Sequence, residues 1–132
     1  MCQICEKIIN EVWQKISVDQ KFRTPDLYKG VDFTIQTKDK SSIIIIPQNI
    51  SISRAAFLET IHYLRAENHD IDNPCEIRSS NDRKTAGPLC VAARDENNNV
   101  RCINYILPIL QKNIIVGINP VRPNTTWLLK WK

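Results

Sequence analysis

Half of the eighteen Lys and Arg residues fall within the last 55 positions, where only Asp82, Asp95 and Glu96 oppose them. That stretch carries a net charge of +6, whereas residues 1–77 hold nine basic and eleven acidic residues, a net of −2. A basic face of this kind attracts polyanions and speeds their arrival. Five of the nine basic residues are arginines, whose planar fork suits phosphate oxygens and the guanine edge. Arg78, Ser79, Ser80, Asn81, Arg83 and Lys84 form one polar run, with Arg94, Arg101 and Arg122 further along. Hydroxyls and cations in that mixture are phosphate-binding chemistry.

Other chemistries have thinner support. The five cysteines, Cys2, Cys5, Cys75, Cys90 and Cys102, are odd in number and irregularly spaced, which argues against a disulfide framework and for a reducing setting. A zinc site would join Cys2-x-x-Cys5 to two later cysteines or to His62 and His69, but no second C-x-x-C pair and no pair of histidines three to five residues apart exists, so no metal is expected. Cys5, Cys90 and Cys102 read as small core residues. Pro25-Asp26 followed by Gln36-Thr37-Lys38 imitates the PD…(D/E)xK pattern of magnesium nucleases, in which Asp26 would hold metal and Lys38 would orient water. Gln36 lacks the second negative charge that a hard cation requires. There is no Gly-x-Ser-x-Gly elbow, and three glycines cannot build a phosphate loop or dinucleotide fingerprint. No catalytic residue and no cofactor is assigned, and the chain by itself reads as a binding module more than as an enzyme.

The elements that must position the basic residues follow from periodicity. With 132 residues, one domain or two small lobes sharing a core is expected. Ile4, Ile8, Val12 and Ile16, widened by Cys5, Ile9 and Trp13, predict an amphipathic helix over residues 2–17. Thr24-Pro25-Asp26 has the order of a helix start, giving a short helix that ends near Gly30. Val31, Phe33 and Ile35 alternate as a half-buried strand, and Ile43–Ile46 reads as a fully buried one that stops at Pro47. Ser51 or Ser53 caps a helix running to about Glu67, with His62 just off its apolar stripe and His69 beyond its end. Residues 75–78 predict a short strand and 79–85 a polar loop. A short helix is expected over Leu89–Glu96, then a second over Val100–Leu110, kinked or shortened by Pro108. Ile114–Ile118 and Thr126–Leu129 read as closing strands around the loop Asn119–Thr125.

From Ser53 onward this order of helix, short strand, two helices, strand, basic loop and strand resembles a winged-helix domain. The expected fold class is therefore α+β, a winged helix-turn-helix over residues 49–132 preceded by a helix and β-hairpin lobe over residues 1–48. The segments Ile77–Asp82, Ala86–Leu89, Ile103–Pro108 and Arg122–Thr126 also resemble the DNA-reading modules of restriction–modification proteins. The resemblance implies duplex DNA as partner, read at a particular sequence or structure, with methylation of the site one variant of that reading. The Val100–Leu110 helix would enter the major groove and the Asn119–Thr125 loop would act as the wing. Arg101, Asn104 and Tyr105 would then reach bases, Arg122 and Asn124 would serve the wing, and the Arg78–Lys84 run would hold phosphates.

A protein–protein interaction module on the same scaffold is the alternative, and the N-terminal helix is either a surface for a homodimer or partner protein or simply core. No apolar stretch approaches the ~18–20 residues of a membrane span, and the N-terminus lacks a basic region followed by a long apolar run. A cytoplasmic location without membrane contact is the expectation.

Overall fold

The computed structural model describes residues 2–129; Lys130 and Lys132, counted above among the basic residues, lie outside the described residues. Helix α1 (Gln3–Lys15) buries Cys5, Ile8, Ile9, Val12 and Trp13 along one face, as the helical spacing of its apolar residues dictates. Its C-terminal end is closed by Lys38, whose ammonium donates to the carbonyls of Trp13 (2.6 Å) and Ile16 (2.8 Å), a cation where helix carbonyls lack partners.

Next comes a four-stranded antiparallel sheet, β1 (Lys21–Arg23), β2 (Asp32–Lys38), β3 (Ser42–Ile46) and β4 (Ile50–Ser53), ordered β1-β2-β3-β4. The expected hairpin is thus the centre of a larger sheet. Ile43 and Ile45 are sealed in the core whereas Ile44 and Ile46 are half-buried, so β3 is not buried on both faces. Four identical residues hide a period of two. The short helix expected after Thr24 is instead a turn over residues 27–29. Asp26 Oδ1 accepts from the amides of Tyr28 (2.9 Å) and Lys29 (3.1 Å), the local turn that Asp side chains favour in competition with helix.

The free edge of β4 is closed by a side chain. Asn97, 6% exposed, accepts from the Ser53 amide at 2.8 Å and donates to the Ser51 carbonyl at 3.1 Å. Its amide group thereby stands in for a neighbouring strand.

Helix α2 (Arg54–Ala66) starts at Ser53, whose Oγ accepts from the Ala56 amide at 3.0 Å. Trp13 of α1 meets Phe57 of α2 edge-on at 5.3 Å. Arg54 joins the same two helices by pairing with Glu6 at 3.0 Å. Then follow β5 (Cys75–Glu76), α3 (Pro88–Asp95), α4 (Ile103–Lys112), β6 (Val116–Asn119) and β7 (Thr125–Leu128), with a three-stranded antiparallel sheet ordered β5-β7-β6. The chain is α+β throughout.

Helix α4 starts three residues later than the spacing predicts, with Cys102 (φ −144°, ψ −9°) as its non-helical N-cap. It also runs through Pro108 to Lys112 rather than ending there. The proline costs one backbone bond, about 3 kcal/mol in an isolated helix. Burial of Ile103 and of every residue from Tyr105 to Leu110 outweighs that, at roughly 1.5–3 kcal/mol per large apolar side chain. Phe33 of β2 stacks on Phe22 of β1 at 5.5 Å and meets Tyr105 of α4 edge-on at 5.2 Å. Buried residues of α1, both sheets and the later helices form one continuous core.

Candidate nucleic-acid interface

A cleft of about 620 Å³ opens where the N-terminal end of α4, the β6–β7 loop, the start of the loop after β5 and the 24–29 turn meet. Six of the residues singled out from the sequence line it: Arg78, Ser79, Arg101, Asn104, Arg122 and Asn124. Thr24, Asp26, Lys29 and Glu76 complete the polar wall. Four cations, Lys29, Arg78, Arg101 and Arg122, therefore face two carboxylates, and the cleft is net positive.

Each contributor is held by local structure. Arg78 has a left-handed backbone (φ 43°), which costs a residue with a Cβ of order 1–3 kcal/mol. Two backbone bonds around it impose that conformation: the Ile77 amide donates to the Asn124 carbonyl, and the Gly87 amide to the Arg78 carbonyl, both at 3.0 Å. Gly87 is needed here, because a Cβ at that position would lie 2.8 Å from the Arg78 Cβ. Arg101 and Asn104 flank the first turn of α4, whose unpaired amides favour anions. Among the described residues, neither Arg78 nor Arg101 forms an ion pair. Two oxygens of the wall, Ser79 Oγ and Asn104 Oδ1, are buried and lack a partner.

The β6–β7 loop does not project freely. Arg122 Nε donates to Asp26 Oδ2 at 2.6 Å, and the Leu27 amide donates to the Pro120 carbonyl at 2.9 Å. The Arg122 guanidinium, followed by the amides of Tyr28 and Lys29, holds the Asp26 carboxyl at about 2, well below its ordinary 3.8.

The remaining residues do not join the cleft. Tyr105 is 4% exposed and its ring fills space against Phe33, so it offers no surface to a base. Arg94 is 6% exposed and donates to the carbonyls of Ser80 (3.0 Å), Asn81 (3.2 Å) and Asn99 (3.1 Å). It is the internal brace of the 79–87 loop. Arg83 pairs with Asp95 at 2.6 Å and with Asn99 Oδ1 at 2.9 Å, and the hydrogen bond from Arg83 holds the Asp95 carboxyl below its usual range. Ser80 Oγ is shared with Thr85 Oγ1 at 2.7 Å. Asn81 and Lys84 are exposed on that loop, away from the cleft.

The burial of α4 has a further consequence: along its length only Asn104, Gln111 and Lys112 escape the core. Its flank cannot lie in a groove; only its two ends are open, and the N-terminal one faces the cleft. The nuclease pattern fails on geometry as well. Asp26 stands in the cleft, whereas Lys38 is engaged at the end of α1 and lines a different depression with Trp13. Cys75, Cys90 and Cys102 are free and buried. Burial pushes the Cys75 thiol up to about 11 and the Cys102 thiol up to about 12, so neither is a nucleophile near neutral pH. Comparison with protein-family models, curated proteins and solved structures finds no match.

Proposed function

We propose that the chain binds duplex DNA through this cleft, in the manner of a winged helix whose recognition helix engages by its tip. The convergence of Arg78, Arg101, Arg122 and Lys29 with the amide side chains of Asn104 and Asn124 carries the reading. Guanidinium forks and side-chain amides are the groups that bind phosphate and the edges of G and A. Buried oxygens without partners, as on Ser79 and Asn104, are what donors on a ligand would complete.

Two further observations support it. The succession α2, β5, α3, α4, β6, β7, with a sheet ordered β5-β7-β6, is consistent with the order expected of a winged helix and its β-hairpin and supports that reading. Of the four segments resembling DNA-reading modules of restriction–modification proteins, three line the cleft, and the fourth supplies Gly87 against Arg78. Arg101 and Asn104 are the base-reading candidates, Arg78 and Lys29 the phosphate contacts, and Arg122 and Asn124 the wing.

The test is fluorescence anisotropy of a labelled duplex across a salt series. At about −0.9 per phosphate neutralised, the two phosphate contacts, Arg78 and Lys29, give a log–log slope of about −1.8. Arg101→Ala is expected to cost about 1–3 kcal/mol and to relax preference at one base pair, while Arg78→Ala weakens all sequences alike. Arg83→Ala, outside the cleft, leaves binding unchanged. Affinity indifferent to salt, or to both Arg78→Ala and Arg101→Ala, rejects the reading in favour of a protein-interaction module.

A further inference from the structure

A second constellation uses none of the cleft residues. Helix α2 sets His62 against the N-terminus of α1, so that the Sγ atoms of Cys2 and Cys5 and a ring nitrogen of His62 all lie within 4.8 Å of one another. The two cysteines are joined as a disulfide, with their Cα atoms 5.2 Å apart. A bridge closing so short a loop removes little freedom from the unfolded chain, so its significance is chemical more than structural. Both sulfurs stand at the start of a helix, with Cys2 accepting from the Cys5 amide at 3.1 Å. Glu59, one helical turn before His62 and therefore on the same side of α2, lines a shared pocket with Cys2, His62 and Glu96.

We propose that Cys2, Cys5, His62 and Glu59 form a zinc site that is gated by the redox state of the Cys2–Cys5 pair. Two sulfurs, one imidazole and one carboxylate are a ligand set for tetrahedral Zn²⁺, whose ligand atoms sit about 3.3–3.8 Å from one another at ordinary Zn–S and Zn–N bond lengths. The two sulfurs and the imidazole nitrogen come within reach of that after small side-chain movements, and Glu59, outside that group but lining the same pocket, would swing in as the fourth ligand. In the disulfide form the sulfurs are bonded to each other and are poor ligands. A dithiol reductant opens the bond by exchange: the S–S bond breaks, both protein sulfurs become thiols, and the reductant leaves as its own disulfide. Zn²⁺ then forms two Zn–S bonds, releasing two protons to solvent, and takes the neutral imidazole and the carboxylate as its remaining ligands. His69 is excluded, since it lies outside the group of ligand atoms that come within 4.8 Å of one another.

The site is tested on the full chain with Co²⁺ as a spectroscopic stand-in, followed by displacement with Zn²⁺. Reduced protein is expected to bind one Co²⁺ with thiolate-to-metal charge-transfer bands and tetrahedral d–d bands, all abolished by Zn²⁺. Oxidised protein is expected to show none. Cys2→Ser, at a half-buried position, abolishes the signal, and His62→Ala, at an exposed one, keeps the fold. Loss of a direct ligand must weaken binding by at least the ~10- to 100-fold that losing an outer partner costs. Glu59→Gln weakens it as well, and His69→Ala leaves it unchanged. Equal binding by the oxidised chain overturns the proposal. So does a reduced chain without thiolate bands, or a His62→Ala protein with unaltered affinity. DNA affinity does not enter these readouts, so the zinc site and the cleft stand or fall separately.

Discussion

Asp26 shows how one carboxylate can both build and oppose a site. It fixes the 24–29 turn through two amides and pins Arg122 across the cleft. Its folded value of about 2 lies below the ordinary 3.8, so the ion pair's contribution is fully present above about pH 4 and is lost as pH falls through about 2. Replacing Asp26 with Asn is expected to flatten the acid limb of the stability curve over that window, followed by thermal unfolding. An unchanged acid limb would show that the pair contributes nothing. The same variant releases Arg122, so DNA affinity should rise and the salt slope should steepen by about one. In the sequence, Asp26 is visible only as half of a nuclease pattern. Arg94 and Tyr105 were more legible than they looked: Arg94 lies four residues after Cys90, and Tyr105 falls in the series Cys102, Tyr105, Ile106, Ile109, a core stripe. A list of polar residues with the right chemistry overrides that spacing only by ignoring it.

At the level of elements, periodicity located all four helices of the described residues and the longer strands, and failed where an element is short or uniform. β1 has three residues and β4 four, too few for alternation to stand out, and Ser51 and Ser53 look like helix caps. Helix ends tell a related story. Both α2 and α4 finish with the same pair of bonds, Asn68 N–H to Arg65 and His69 N–H to Leu64 in one, Ile114 N–H to Gln111 and Ile115 N–H to Leu110 in the other. That motif requires a left-handed residue, which is usually Gly or sometimes Asn. Asn68 (φ 56°) suits it; Ile114 (φ 60°), β-branched and 66% exposed, does not. Left-handed backbone costs such a residue about 1–2 kcal/mol, and glycine's extra unfolded-state entropy returns roughly 0.5–1. Ile114→Gly is therefore expected to stabilise the chain by about 0.5–1 kcal/mol in denaturant titration. A loss of stability would mean that the side chain contributes packing that its exposure conceals.

Across the whole molecule, the charge imbalance between the two parts of the chain was plain from composition, but its spatial meaning was not. Of the basic residues after residue 77, Arg83 and Arg94 are spent on the loop after β5, while Lys29 and Asp26 reach the cleft from the acidic part of the sequence. Contacts between residues so distant along the chain leave no local signature. The Phe33–Tyr105 contact and the continuous core couple the first sheet to α4, so unfolding should be a single transition with tryptophan fluorescence and far-ultraviolet circular dichroism coincident. Two separated transitions would show that the sheet and the helices melt independently. The Asn97 side chain has a role on the same scale. A strand pair as rich in isoleucine as β3–β4 would, with an open margin, recruit the same segment from another copy. Bonded to the backbone of Ser51 and Ser53, that amide occupies the place such a segment would take, while Lys21 and Arg23 put charge on the opposite margin. The sheet's most adhesive strands are thereby denied a template for fibre growth.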